Sequence, residues 1–127
     1  MVIDEKILYK EFSYKLIGIC MEVHKVLGKG MNEVVYKDAI EYELRLAKIA
    51  YTREKSFKIM YKGISLSRTY VPDFLIDNTI IVEAKAIECL TNSHVKQTLN
   101  YLSITELKLG LLVNFGEDSL KYRRVVL

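Results

Sequence analysis

The sequence has few of the residues that mark secreted, zinc-binding, disordered or membrane-spanning proteins. Two cysteines among 127 residues cannot form the several disulfides of a small secreted scaffold. Neither cysteine lies in a Cys-x-x-Cys or Cys/His spacing typical of zinc. The chain has one proline, and half of its residues are hydrophobic; both features argue against disorder. No apolar run approaches the roughly 18 residues of a membrane span, and charges at residues 4–6 interrupt a secretory signal. These absences predict a soluble, cytoplasmic protein without a membrane partner.

The length and net charge of the chain bear on the number of domains and on the kind of partner. A chain of 127 residues suits one domain that buries roughly two-thirds of its unfolded surface, so a single domain is predicted over residues 1–127. The formal net charge of +3 does not demand a nucleic-acid partner. It permits one if lysines and arginines collect on one face of the protein.

Two amphipathic helices are predicted before any strand. Apolar residues recur every three or four positions over residues 4–27, and Gly28 and Gly30 end this helix. A second helix begins after the cap Asn32 and extends to about residue 48. The predicted buried stripes are Leu8, Phe12, Leu16, Cys20, Val23 and Leu27 in the first helix, and Val35, Ala39, Tyr42 and Leu46 in the second.

Three β-like segments follow, at residues 56–61, 66–76 and 80–86. Turn-forming pairs, Lys62-Gly63 and Asp77-Asn78, separate them. Such closely spaced segments predict an antiparallel meander.

A third helix and two strands complete the chain. The helix is capped by Thr91 or Asn92 and runs to about residue 106, and the strands occupy residues 111–115 and 120–126. The order ααβββαββ predicts an α/β (α+β) domain with a mixed sheet, in which the strand after the third helix returns parallel to its partner. The inward stripe of this helix is Val95, Leu99 and Leu102.

Two acids and a lysine form the candidate active site. Residues two apart in a strand face the same way, so Glu83 and Lys85 project together while Ala84 turns to the buried face. A turn near residues 77–78 folds the previous strand back, so that residues near 73 and 83 pair and the carboxylates of Asp73 and Glu83 can meet around one ion. Two converging carboxylates repel each other unless a cation neutralises them.

The pattern fits a magnesium-dependent nuclease. Mg²⁺ prefers oxygen ligands and keeps several waters, and Asp73, Glu83 and the carbonyl of Ala84 meet that requirement. Mg²⁺, or Mn²⁺ in its place, polarises a phosphate and promotes ionisation of a water. Lys85 can orient that water or stabilise transition-state charge. The alternative interpretation is a solvated Glu-x-Lys pair on a strand edge.

Two helices supply further candidates. His94, Gln97 and Tyr101 share one stripe of the third helix and are predicted to bind substrate phosphate or brace the lysine. The alternative is that these residues form an ordinary polar surface of the helix, with His94 serving as a helix-start residue. Glu33 lies in the first turn of the second helix, where the macrodipole favours an acid for structural reasons. It is equally a candidate catalytic residue beside the metal.

Taken in order, these motifs resemble the GxxExxY protein family over nearly the whole chain. That family is similar to the PD-(D/E)XK (restriction-endonuclease-like, RecB-like) nuclease superfamily. The resemblance implies an αβββαβ core, metal-binding Asp73 and Glu83, catalytic Lys85, and the helix acid Glu33. It also implies that Gln97 and Tyr101 match a Gln-x-x-x-Tyr motif. The residues that carry it are Gly30-x-x-Glu33-x-x-Tyr36, Tyr61-Lys62-Gly63, Asp73, Val82-Glu83-Ala84-Lys85-Ala86, His94-x-x-Gln97-x-x-x-Tyr101-Leu102 and Gly110-Leu111-Leu112-Val113-Asn114-Phe115-Gly116.

Three functions are therefore open from sequence. The leading hypothesis is a Mg²⁺-dependent nuclease that hydrolyses phosphodiester bonds in DNA, and a homodimer is compatible with it. The second is a catalytically inactive, nuclease-like module that binds nucleic acid or protein. The third is a structural domain whose polar residues are only surface.

Overall fold

The computed structural model describes residues 9–127, and no helix in that range is long and apolar enough to cross a membrane. Two helices, five strands, a third helix and two further strands follow one another along the chain, which confirms the predicted α+β class, with five strands where three were predicted. The helices are α1 (Lys10–Leu27), α2 (Glu33–Leu46) and α3 (Asn92–Thr105), and the strands are β1 (Tyr51–Arg53), β2 (Phe57–Tyr61), β3 (Ile64–Tyr70), β4 (Phe74–Ile76), β5 (Ile80–Lys85), β6 (Leu109–Asn114) and β7 (Lys121–Val126).

Five of these strands form one mixed sheet in the order β1-β4-β5-β6-β7. Strands β5 and β6 pair in parallel, with α3 as the crossover between them, and the other neighbours pair antiparallel. A parallel pair needs such a crossover because the chain must return to the starting end of the first strand. The predicted parallel return after the third helix is therefore confirmed.

Helices cover both faces of this sheet. Helices α1 and α2 bury one face, where they pack against apolar side chains such as Phe74, Val82 and Ala84. Helix α3 packs on the other face against Leu75 and Ile81. The alternation of side chains along β5 thus directs Val82 and Ala84 to one layer and the intervening residues to the opposite layer.

Helix α1 follows its predicted stripe. Leu16, Cys20 and Val23 are buried, while Phe12 and Leu27 pack at the margin of the core. The predicted start at residue 4, with Leu8, lies outside the described residues. Burial raises the pKa of the Cys20 thiol to about 12, so this cysteine behaves as a core residue.

The predicted stripe of α2 is wrong by one position. Tyr36, Ile40 and Leu44 are buried, whereas Tyr42 and Leu46 are each 61% exposed. A tyrosine can occupy the core here because its hydroxyl is satisfied: it donates to the Gly28 carbonyl at 2.6 Å and accepts from the Met31 N–H at 3.2 Å. Its ring stacks on Phe115 with centroids 4.5 Å apart. Val35 and Ala39, also in the predicted stripe, are only half-buried.

The predicted meander is also wrong, because the segment at residues 66–76 is two strands. It breaks at residues 71–73, where Pro72 has no N–H for a sheet ladder. Strand β3 pairs with β2 in a separate two-stranded sheet, while β4 joins the main sheet between β1 and β5. Strand β1 was missed because it has three residues and none is fully buried.

Both predicted hairpin turns are present. Lys62 and Gly63 have φ of 48° and 81°, and Asp77 and Asn78 have φ of 51° and 53°. Two consecutive positive φ values are typical of the type I′ turns that match strand twist. The second turn sets the β4–β5 register, which pairs Phe74 with Val82.

Helix α3 begins after Thr91 with a capping box, in which His94 is the reciprocal partner. Of its predicted stripe, Leu102 is fully buried, while Val95 and Leu99 are half-buried. Thr98 is buried as well, because Gly110 in β6 leaves room for its methyl group: a Cβ at Gly110 would lie 2.8 Å from that methyl. Close packing of α3 on the sheet thus depends on a glycine in β6.

Candidate active site

The β4–β5 hairpin brings the two predicted acids together. Because Phe74 pairs with Val82, Asp73 lies opposite Glu83 one step further along the ladder. The Asp73 N–H donates to Glu83 Oε2 at 2.9 Å. Lys85 follows two residues later on the same face of β5. The turn predicted near residues 77–78 thus brings the two acids together, although three residues separate the paired Ile76 and Ile80.

The Asp73 carboxylate is held from two sides. Its Oδ2 accepts a hydrogen bond from the Ala84 N–H at 2.8 Å, and its Oδ1 accepts one from Lys37 Nζ at 3.2 Å. The N–H and C=O of one strand residue point to the same edge of the strand, so the Ala84 carbonyl faces Asp73 as well. The carboxylates of Asp73 and Glu83 thus lie beside Ala84 at the carboxyl end of β5.

Sequence reasoning missed Lys37. It lies on α2 one turn after Glu33, and its Nζ also lies 3.6 Å from Glu54. Burial lowers the pKa of Lys37, but the charges of Asp73, Glu54 and Glu33 and the hydrogen bond to Asp73 raise it overall. Because Lys37 lies four residues after Glu33, the two side chains share one side of α2. The incorrect prediction of the buried face of α2 kept this relation from being recognised.

Glu83 is the most perturbed acid of the site. It is only 8% exposed, and burial, followed by the charge of Asp73, raises its pKa to about 7. The hydrogen bond from Asp73, the charge of Lys85 and the hydrogen bond from Tyr70 act in the opposite direction and only partly offset the rise. A bound cation would favour the charged form of this carboxyl.

A second residue missed from sequence, Tyr70, links α3 to this acid. Its hydroxyl donates to Glu83 Oε2 at 3.2 Å, and its ring stacks on Tyr101 with centroids 3.8 Å apart. Burial and the charge of Glu83 raise the pKa of Tyr101, while a hydrogen bond with Gln97 lowers it. The predicted Gln97–Tyr101 pair therefore reaches the acids through Tyr70.

The remaining predicted residues lie less centrally. His94 Nδ1 accepts from the Thr91 N–H at 3.0 Å, so its observed contact is structural. Glu33 occupies the first turn of α2 and acts electrostatically on Lys37. Substrate binding by His94 and a catalytic role for Glu33 stay predictions.

The loop after Lys85 is fixed by Asn114, which pairs with Lys85 in the β5–β6 register. The buried amide of Asn114 accepts from the Ile87 N–H at 3.0 Å and donates to the Ile87 carbonyl at 2.9 Å. Gly116 lies against the same segment, and a Cβ there would overlap the Ile87 backbone. A polar residue that ends an apolar strand was the only sequence signal for this clamp.

The donor set suits one hard divalent cation. Residues 9–127 contain no cluster of three or more His, Cys, Asp or Glu side chains that could hold a metal. Mg²⁺ needs fewer protein ligands, because it usually keeps several waters and binds through one or two carboxylates plus substrate phosphate. Asp73, Glu83 and the Ala84 carbonyl fit that chemistry. They lack the cysteine and histidine ligands that zinc sites typically contain.

Comparisons with known proteins give two similar solved structures and one matching family model. The crystal structure of SSO0001 is similar, with 16% identity, a TM-score of 0.48, and coverage of 91% of this chain and 78% of that one. An alkaline exonuclease (LHK-Exo) from Laribacter hongkongensis has 11% identity, a TM-score of 0.38, and coverage of 84% and 75%. No curated protein matches at a significant level. The family model of the PD-(D/E)XK nuclease superfamily matches residues 10–125, and the chain therefore belongs to that superfamily.

Proposed function

We propose that the protein is a Mg²⁺-dependent nuclease that hydrolyses phosphodiester bonds in DNA. The observation that carries this proposal is the buried Glu83 carboxyl, held against Asp73 and raised in pKa to about 7. A buried carboxylate close to a second negative charge is costly without a cation. A divalent ion bound by both carboxylates would relieve this repulsion.

Each residue has a separate task in this proposal. The ion, when bound, would supply Lewis-acid stabilisation of the phosphate. Asp73 and Glu83 would hold it, with the Ala84 carbonyl as a third oxygen ligand. Lys85, two residues from Glu83 on the same face, would orient the attacking water and stabilise charge on the phosphate oxygens. Hydrolysis then joins the water oxygen to phosphorus and breaks one P–O ester bond, while the leaving oxygen takes up a proton.

Supporting residues hold these groups in place. Tyr70 and the Ala84 N–H fix one carboxylate oxygen each by hydrogen bonds. Gln97 and Tyr101 support Tyr70 from α3. Such fixed donors keep carboxylates in one geometry, which favours catalysis because little reorganisation is needed during the reaction.

One observation favours the second candidate function, an inactive module that binds nucleic acid or protein. Lys37 Nζ lies 3.2 Å from Asp73 Oδ1, so a resident ammonium already neutralises one of the two acids. A chain that keeps this ion pair permanently would not need a metal. The nuclease proposal requires that Lys37 yields this oxygen to the ion, or that the ion binds through the remaining oxygens.

Cleavage assays distinguish the two functions. Purified protein is incubated with single-stranded and double-stranded DNA in Mg²⁺, Mn²⁺ or EDTA. We expect cleavage in either metal and none in EDTA, with a loss of about 10²-fold or more in Asp73→Asn and Lys85→Met. Glu22→Gln, a change on the exposed side of α1, is the matched control and keeps full activity.

Two results would overturn the assignment. Cleavage that persists in Asp73→Asn or Lys85→Met protein would show that the activity comes from elsewhere or from a contaminant. DNA binding by wild-type protein without any metal-dependent cleavage would establish the binding module instead.

A further inference from the structure

The hairpin of β2 and β3 carries an unusual concentration of positive charge. Residues 55–70 contain four basic side chains and no acidic one, although the formal net charge of the whole chain is only +3. The rest of the chain is therefore net negative. The four basic residues, all exposed, are Lys55, Lys58, Lys62 and Arg68.

These charges are not neutralised within the described part of the protein. No carboxylate of residues 9–127 lies within ion-pair distance of any of the four. Lys55 and Lys62 instead lie over the rings of Phe57 and Tyr61, at 5.6 and 5.5 Å from the centroids. Cations without acidic partners are available to an external polyanion.

The outer strand of the hairpin, β3, is open to solvent, whereas β2 lies beside α3 with Phe57 and Ile59 half-buried. The hairpin forms its own two-stranded sheet, and residues 64–69 of β3 are all exposed. Successive side chains of a strand point to opposite faces, so both faces of this strand are open to solvent. At the tip, Met60, Tyr61 and Ile64 are each more than half exposed.

The base of the hairpin is part of the candidate active site. Tyr70, the last residue of β3, donates to Glu83 and stacks on Tyr101. Phe57, the first residue of β2, stacks on Tyr70 with centroids 6.3 Å apart. At roughly 3.3 Å per residue, the seven residues of β3 extend about 20 Å from this anchor, which is about six base pairs of duplex DNA.

We propose that the β2–β3 hairpin is a DNA-binding arm whose basic residues contact phosphates flanking the bond that is cleaved. The proposal rests on the proposed nuclease function and identifies the surface that holds its substrate. A second copy of this chain is a poorer occupant, because four unpaired positive charges on each hairpin repel one another. A phosphate backbone has the complementary charge along the whole length of the arm.

The test compares two triple variants that remove equal charge from different surfaces. The arm variant is Lys58→Gln, Lys62→Gln and Arg68→Gln. The control variant removes three equally exposed basic residues outside the hairpin and is Lys108→Gln, Lys121→Gln and Arg123→Gln. Binding of a fluorescent 20-base-pair DNA is measured by anisotropy in EDTA, between about 50 and 200 mM salt.

We expect DNA binding by the arm variant to depend less steeply on salt than binding by the wild type. Each lysine or arginine that contacts a phosphate contributes about 0.9 to the slope of log K against log salt, so the slope falls by about 2–3 in the arm variant. The slope of the control variant stays within about 1 of the wild-type value. Equal weakening of both variants would show that only net charge matters, and it would overturn the proposal.

Further outcomes separate this proposal from the nuclease assignment. Calorimetry with Mn²⁺ should give the same affinity for the arm variant and the wild type, because Asp73 and Glu83 are unchanged. Absence of metal-dependent cleavage in the wild type refutes the nuclease while arm-dependent DNA binding persists. The proposed DNA-binding role of the hairpin would be refuted if the wild-type protein did not bind DNA. It would also be refuted if the arm variant changed only the monomer–dimer equilibrium in sedimentation.

Discussion

Replacing Glu83 by Gln should change how the stability of the metal-free protein depends on pH. Burial and the charge of Asp73 raise the pKa of Glu83 from 4.5 to about 7 in the folded state. Between these values the folded protein holds a proton that the unfolded chain releases. The stabilisation from this proton is complete below pH 4.5 and is lost as pH rises through 7. A pKa difference of one between the folded and unfolded states corresponds to 1.36 kcal/mol. The full loss in the free energy of unfolding is therefore about 3 kcal/mol.

Glutamine resembles the protonated form of this side chain. Gln at position 83 can accept the hydrogen bonds from the Asp73 N–H and the Tyr70 hydroxyl without carrying charge. We therefore expect Glu83→Gln to have a free energy of unfolding close to that of the wild type near pH 5. Near pH 8 the variant should be more stable by up to about 3 kcal/mol.

Urea denaturation in EDTA between pH 4.5 and 8 measures this difference directly. The difference between variant and wild type isolates Glu83, because contributions of other titrating groups are common to both proteins. Glu22→Gln, on the exposed side of α1, is the control and should follow the wild type. Parallel pH profiles for Glu83→Gln and wild type would refute the electrostatic reasoning.

Two further predictions address the resident lysine and the glycine beside the active-site loop. Lys37→Met should tighten Mn²⁺ binding roughly tenfold in calorimetry, since removing a positive charge a few ångströms from the ion is worth about 1–2 kcal/mol at high dielectric; Lys37→Arg should not. Gly116→Ala should lower the free energy of unfolding by about 1–3 kcal/mol, because its Cβ would overlap the Ile87 backbone. Gly18→Ala, in an open helical position, should stabilise by about 0.5–1 kcal/mol.

Each of these two predictions has an outcome that would contradict it. Unchanged or weaker Mn²⁺ binding in Lys37→Met would show that the lysine does not compete with the ion. A Gly116→Ala protein as stable as the wild type would show that the segment at Ile87 moves freely, contrary to the clamp formed by Asn114.

The position of the two acids could be predicted from sequence because it depends on local chemistry. The Asp77-Asn78 pair favours a tight turn, which folds the strands on either side of it against each other. Residues near 73 and 83 must then meet across the hairpin, whereas the observed register, with Ile76 opposite Ile80, also depends on Thr79 being part of the loop. Strand periodicity then places Lys85 on the same side.

Lys37 and Tyr70 could not be found in the same way, since both depend on tertiary packing. The position of Lys37 requires knowing that Tyr36 is buried, and a tyrosine in the core is only favourable because the Gly28 carbonyl accepts its hydroxyl. To predict the contact of Tyr70 with Glu83, one must know that the β-structure is interrupted at Pro72, between the end of β3 and the start of β4. Periodicity within one segment carries no information about either contact.

The most direct test of the metal site is a crystal structure of the protein with saturating Mn²⁺. We predict one anomalous peak between the carboxylates of Asp73 and Glu83, at about 2.0–2.1 Å from their oxygens as expected for a Mg²⁺-type site. Lys37 should then have moved away from Asp73 Oδ1. A structure without that peak, in which Lys37 still pairs with Asp73, would contradict the proposal that these residues form the centre of a metal-dependent nuclease.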